Sequence, residues 1–337
     1  MTPFLNAYLN PQTTSLTIEN PPSFRSFAST AEAMVQFTVQ QVWRSLTSPE
    51  PRPLKAIKIT LGIPFYCALT AMSVMIVAST ALAHFLFLPV MLRKASFALY
   101  LQSSLLELLA LFPLILTNAM QRPQPSPNSL SSSSPPILFV HGYLHNGTGG
   151  LFHAAQLERK AREEGLPLGA FYSIDLPTPF HSIETHAQQV KEKVEDIIRA
   201  TGQAPILIGH SMGGLVCLKC AESCADEQIK AIITLASPLK GTPLASVGIG
   251  KDAEEMRLNS SFVHALQQND SDAIKARSYH MGSLTDLIVP DFSALPDYST
   301  HFQSLFAYGH TTFLYSQKVN SQIWKIYKNY LPCHPSA

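Results

Sequence analysis

Hydrophobic and polar residues follow three rhythms along this chain. From Ile59 to Leu92 no Asp, Glu, Lys or Arg interrupts the run, and the roughly 20 apolar residues that a helix needs to cross a bilayer core fit inside it. Arg93 and Lys94 close the run, and a second apolar stretch, Phe97 to Met120, follows with Gln102 and Glu107 inside it. A carboxylate at mid-bilayer is expensive. The second stretch is therefore either another span or a helix lying on the membrane or against a folded domain. Upstream, residues 1–55 are polar and interrupted by Pro11, Pro21, Pro22, Pro51 and Pro53, with one helical apolar patch from Ala31 to Trp43. Downstream, residues 121–136 read QRPQPSPNSLSSSSPP, too polar and too rich in proline to pack, and are expected to be a flexible linker.

Past the linker the pattern switches to short apolar runs of strand length separated by stripes of helical period. The runs predict strands at Ile137–His141, Ala170–Leu176, Pro205–Gly209, Ala231–Ala236, Ser278–Gly282 and Gln303–Ala307. The stripes predict helices at Leu151–Glu164, Ile183–Ala200, Gly214–Ser223 and Tyr315–Leu331, the first two ended by Gly165 and Gly202. Such alternation predicts an α/β domain with a mostly parallel sheet and helices on both faces. The expected organisation is a polar segment over 1–55, a membrane-anchor region of one or two helices over 56–120, the linker, and the α/β domain over 137–334.

Composition adjusts this picture in a few places. Apolar residues reach 46% and charged residues only 14%, lopsided for one soluble domain, and the excess lies in the anchor region. The net charge of +1, with no basic stripe, excludes a nucleic-acid partner. Twelve histidines include none in a zinc pattern such as His-Glu-x-x-His, so no metal site is expected. Of five cysteines, Cys217, Cys220 and Cys224 share a helical face and read as small core residues rather than ligands. No disulfide framework is visible, which favours a reducing compartment. Arg44, Arg52, Lys55 and Lys58 before the uncharged run outweigh Arg93 and Lys94 after it, which keeps the N-terminus in the cytoplasm. Two spans would return the C-terminal domain to the cytoplasmic side and one would leave it outside; the cysteine usage favours the first.

The chemistry centres on Gly209-His210-Ser211-Met212-Gly213. This Gly-x-Ser-x-Gly sits between a strand and a helix, where a tight turn lifts a serine hydroxyl above the sheet end, close to a helix N-terminus. A serine hydroxyl does not ionise at neutral pH, so it needs a base and a group to orient that base. With this motif the acid and then the histidine follow the serine in the chain. Asp286, just past a predicted strand, and His310, after a strand and a glycine, fit that order. Asp291 and Asp297 compete as the acid, and His301 and His141 as the base. An oxyanion would be met by backbone N–H groups of Met212 and of Tyr143, in the loop after the first strand. His210 reads as a structural residue.

With those residues in place, the segment from about Pro136 to Tyr330 resembles the lipase and esterase branch of the α/β-hydrolase family. It is especially similar to bacterial triacylglycerol lipases and to GPI inositol-deacylase-like proteins. ASPLKGTPLA, MRLNSSFVHALQ, DLIVP and YGHTTFLYS carry the likeness beyond the elbow. The resemblance implies an α/β-hydrolase fold lacking the family's first two strands, a Ser211–Asp286–His310 triad, and a serine esterase without cofactor. With the anchor it implies a membrane-bound enzyme whose partners are a bilayer and a lipid or other ester. Acyl transfer, thioester hydrolysis and a catalytically idle interaction module are the alternatives, since fold alone does not separate them. Between Pro238 and Ser278 a short cap carries Leu239, Val247, Ile249, Met256, Val263 and Leu266, which either line an acyl channel or pack the cap on the sheet.

Overall fold

The computed structural model describes residues 24–47, 97–120, 133–177, 180–269, 271–299, 301–305 and 308–332. The uncharged run Ile59–Leu92 and linker residues 121–132 lie outside the described residues. In chain order the elements are α1 (Phe24–Thr47), α2 (Phe97–Met120), β1 (Ile137–Val140), α3 (Leu151–Glu164), β2 (Phe171–Ile174), α4 (Ile183–Thr201), β3 (Ile206–His210) and α5 (Met212–Glu222). They continue with β4 (Ala231–Leu235), three short cap helices α6 (Gly250–Glu255), α7 (Ser261–Asn269) and α8 (Asp272–Ala276), then β5 (Ser278–Ser283), α9 (Asp291–Ala294), β6 (Phe302–Leu305) and α10 (Gln317–Lys328).

The six strands form one sheet in the order β2-β1-β3-β4-β5-β6, with every adjacent pair parallel. Parallel strands covered on both faces are apolar at consecutive positions, and β1 (ILFV), β3 and β4 are buried throughout. Alternate side chains still divide between the faces. Ile137 and Phe139 join Phe152, Leu157, Val319 and Ile323 of α3 and α10 on one side. Leu138 and Val140 join Val190, Val194, Leu215 and Val216 of α4 and α5 on the other. Gly165 and Gly202 close α3 and α4 with left-handed φ of 64° and 68°, a conformation that costs glycine little. The chain steps from β1 outward to β2 and then back to β3 on the other side of β1. That reversal opens a crevice at the C-terminal ends of β1 and β3.

Element ends differ from the sequence pattern where capping decides them. The last helix starts at Gln317 rather than Tyr315, because Ser316 accepts a hydrogen bond from the Val319 N–H and the preceding residues, Thr311–Tyr315, form a 3₁₀ turn. The elbow helix begins two residues early, at Met212. Cys217 and Cys220 are buried core residues and Cys224 is half-buried. In the cap, Leu239, Met256, Val263 and Leu266 are buried, with Leu239, Met256 and Leu266 packed in the cluster around α4 and α5. Leu239, Met256 and Leu266 thereby hold the cap on the domain, whereas Val247 and Ile249 are exposed.

The second apolar stretch is helical, and its placement answers the question left by Glu107. Helices α1 and α2 pack on each other and on the α/β domain. Phe37 of α1 meets Phe152 edge-on at 5.3 Å and Tyr315 at 6.1 Å, while Ala110 of α2 belongs to the core cluster under α3 and α10. Ser103, Leu106, Glu107, Ala110 and Leu111 are buried, and Leu101, Leu105, Leu108 and Leu109 face outward. The expectation of a second span at Phe97–Met120 therefore gives way to a helix docked on the domain. Among the described residues no helix is long and apolar enough to cross a membrane.

Candidate active site

The turn after β3 is held in a conformation that a serine rarely adopts. Ser211 has φ 56° and ψ −127°, which costs on the order of 1–3 kcal/mol and persists only where the surroundings enforce it. They do so through the Ser211 N–H, which donates to the Leu235 carbonyl at 2.8 Å, and through the Ser211 carbonyl, which accepts from Gly214 N–H at 3.0 Å. The flanking glycines are required by close approach, not by unusual φ. A Cβ on Gly213 would overlap the Val140 carbonyl of β1, and one on Gly209 would overlap the Gly213 carbonyl.

The elements that carry the two candidate backbone donors flank this turn. Met212 opens α5, where the first N–H groups of a helix point outward without intrahelical acceptors. The loop after β1 lies against the turn, since a Cβ on Gly142 would come within 2.9 Å of the Ser211 Cβ. Tyr143 is the next residue. Its hydroxyl donates to the Ile249 carbonyl at 2.7 Å and accepts from Ile249 N–H at 3.1 Å, which ties this loop to the cap.

Asp286 and His310 meet in the same region. Asp286 is 2% exposed, its Oδ1 accepts the Ile288 and Val289 N–H groups at 2.8 and 2.9 Å, and its Oδ2 accepts from His310 Nδ1 at 2.9 Å. The competing residues are engaged elsewhere. Asp297 pairs with Lys240, Asp291 accepts from Phe292 N–H, and exposed His301 stacks on Tyr279 at 4.9 Å. His141 uses both ring nitrogens, donating from Nδ1 to the Gly142 carbonyl and accepting Leu176 N–H on Nε2, each at 2.8 Å.

Electrostatics separate the histidines further. Burial pushes His141 down to about 4. Burial first, then the neighbouring His310, hold His210 well below the ordinary imidazole value. Neutral His210 donates from Nε2 to the His310 carbonyl at 3.0 Å, with the rings 4.8 Å apart, so it braces the backbone of His310. For His310 burial also opposes the charge, but the Asp286 carboxylate and then Glu107 outweigh it and its pKa is raised. Of these imidazoles, His310 is the one whose pKa is raised and which is hydrogen-bonded to a carboxylate, the setting suited to a general base.

One participant escaped the sequence reading. Glu107 reaches the loop just after His310 from α2, accepting from Thr311 and Thr312. Its signal was present as an acidic residue in an otherwise apolar helix. Among the described residues no group of three or more His, Cys, Asp and Glu is placed to hold a metal ion.

Comparison with known proteins places the fold among hydrolases. Over 109 residues the chain is 28% identical to the pimeloyl-[acyl-carrier protein] methyl ester esterase of Vibrio atlanticus, covering 32% of this chain and 39% of that protein. Over 117 residues it is 30% identical to the lysosomal thioesterase PPT2 homolog of Drosophila melanogaster, covering 34% and 38%. The chain thus spans about two fifths of the length of these curated relatives. The mature lipase BlEst2 of Bacillus licheniformis shares the fold, with a TM-score of 0.50 at 16% identity over 60% of this chain and 96% of that one. Residues 137–324, more than half of the sequence, match the model of the Alpha/beta hydrolase family, and with the parallel sheet and the serine elbow in place, the chain belongs to that family.

Proposed function

We propose that this chain hydrolyses carboxylic esters through an acyl-enzyme on Ser211, with lipid esters as its substrate class. The observation that carries the reading is the buried Asp286–His310 hydrogen bond of 2.9 Å at the sheet end that also bears the strained Ser211 turn. In the first half-reaction Ser211 Oγ attacks the ester carbonyl carbon while His310 Nε2 takes the hydroxyl proton. The carbonyl oxygen becomes an oxyanion met by the Met212 and Tyr143 N–H groups, and Asp286 stabilises the imidazolium. The C–O bond breaks as His310 returns the proton to the leaving alcohol. Water then repeats the sequence on the acyl-enzyme and releases the acid. Thioester hydrolysis is the second reading, favoured by the Drosophila relative named a thioesterase.

The membrane part of the proposal rests on the uncharged run between Ile59 and Leu92. Helix α1 precedes that run and α2 follows it, and both pack on the hydrolase domain. A run that enters the bilayer from there has to return to the side it left. Arg44, Arg52, Lys55 and Lys58 before the run and Arg93 and Lys94 after it then share that side, and the positive-inside bias makes it the cytoplasmic one. Tethering raises the effective concentration of bilayer esters and does nothing for a small soluble ester, which is the argument for lipid substrates. The test is fluorophosphonate labelling of the full chain, followed by an ester and thioester panel graded by acyl length. Ser211→Ala should abolish labelling and lower turnover by several powers of ten. Equal labelling of wild type and variant would remove Ser211 from the role, and a preference for acetyl esters would remove the lipid reading.

A further inference from the structure

The 3₁₀ turn that begins right after His310 has no side-chain cap of its own. The cap comes from an element that lies outside the family match and far away in sequence. Glu107 is 5% exposed, and both its oxygens accept the Thr311 N–H, at 2.7 and 2.9 Å. Its Oε2 also accepts the Thr312 N–H and the Thr312 hydroxyl, each at 3.1 Å. All these partners are donors, the set an ionised carboxylate takes. Gly309 makes room for the group, because a Cβ there would overlap Glu107 Oε2. Ser103, one turn earlier on α2, donates to the Thr285 carbonyl at 3.3 Å, next to Asp286. One face of α2 thus grips both the acid loop and the base loop.

We propose that Glu107 is a positioning residue for His310, its carboxylate holding the backbone that follows the imidazole so that the ring stays on Asp286. The inference rests on His310 being the base. Burying a carboxylate is costly unless it is matched by donors or charge; burial raises the Glu107 pKa, while the Thr311 hydrogen bonds and His310 oppose that rise. A residue that merely filled the helix interface would be cheaper as leucine. Four titratable groups act on His310: Asp286 from the loop after β5, Glu107 from α2, His210 from β3 and His145 from the loop after β1. Burial pushes His145 down to about 3 and His210 well below its ordinary value. The groups that favour the protonated form of His310 are therefore the Asp286 and Glu107 carboxyls.

The test is the rate of fluorophosphonate labelling of Ser211 against pH in the full chain, a readout that needs no knowledge of the substrate. Glu107→Gln keeps the shape and removes the charge. It should slow labelling about tenfold and move the acid limb down by about one pH unit, since the protonated imidazole loses an attractive neighbour. Glu107→Asp keeps the charge on a shorter arm and should leave the acid limb in place while the rate falls. An acid limb unmoved in Glu107→Gln would overturn the proposal and reduce Glu107 to a packing residue. Should Glu107→Gln fail to fold, Glu107→Asp decides, and a displaced limb or an undiminished rate there overturns it. A wild type that does not label at all overturns the catalytic reading and this inference with it, whereas loss of labelling in His310→Ala alone leaves the reading standing.

Discussion

Lowering the pH from 7.5 to 5.5 should weaken the folded state by about 4 kcal/mol through His141, His153 and His280, three of the imidazoles that are buried in their neutral form. His141 and His153 are fully buried and His280 nearly so; burial pushes the first two down to about 4 and His280 down to about 3. In the unfolded chain each titrates near its ordinary value of about 6.5. The folded pKa values are depressed, so the stability these groups carry is whole above 6.5 and is lost as the pH falls towards the folded values. At pH 5.5 the unfolded imidazoles have taken up their protons while the folded ones have not, a difference of about 1.4 kcal/mol per group. All three folded values lie more than one unit below pH 5.5, so the loss does not depend on their exact size. His310 acts in the opposite sense. Its raised pKa stabilises the fold as the pH drops through it, and one such group offsets only part of the loss. Against a net stability of about 5–15 kcal/mol, typical of folded proteins, the effect is large. Urea unfolding followed by tryptophan fluorescence should show the midpoint falling by more than about 1 M between the two pH values, with proton uptake on unfolding at pH 5.5. A midpoint that stays constant or rises would refute the reasoning.

Two further outcomes follow from the site and from the segment before it. His310→Ala and Asp286→Asn should each lower ester turnover by about three powers of ten or more. His301→Ala and Asp297→Asn, whose side chains stack on Tyr279 and pair with Lys240, should stay within about tenfold, and a reversed ranking would reassign the acid or the base. The full chain should remain with membranes through a high-salt or alkaline wash, because apolar insertion is not screened by salt; recovery in the wash would remove the anchor.

The serine elbow was legible in the sequence because its causes are local. Gly209 and Gly213 are needed where β3, its turn and the neighbouring β1 strand come too close for a Cβ, and a strand before the motif with a helix after it supplies that context within a short stretch. The parallel sheet was legible for a similar reason, since buried strands and amphipathic helices each leave their own period in the chain. The order in which the strands lie was not, because it depends on which crossovers bury both faces. Local pattern put Asp286 ahead of Asp291 and Asp297 without excluding them. All three follow β5 within 14 residues, and what sets Asp286 apart in the structure is a hydrogen bond to a histidine 24 positions away. Glu107 is the furthest case. As a carboxylate in an apolar helix it read as a cost inside a membrane, and the donors that offset that cost stand more than 200 positions later in the chain. Sterics between neighbours in sequence write themselves into the residues, whereas the pairing of a buried charge with distant N–H groups exists only once the helix has docked.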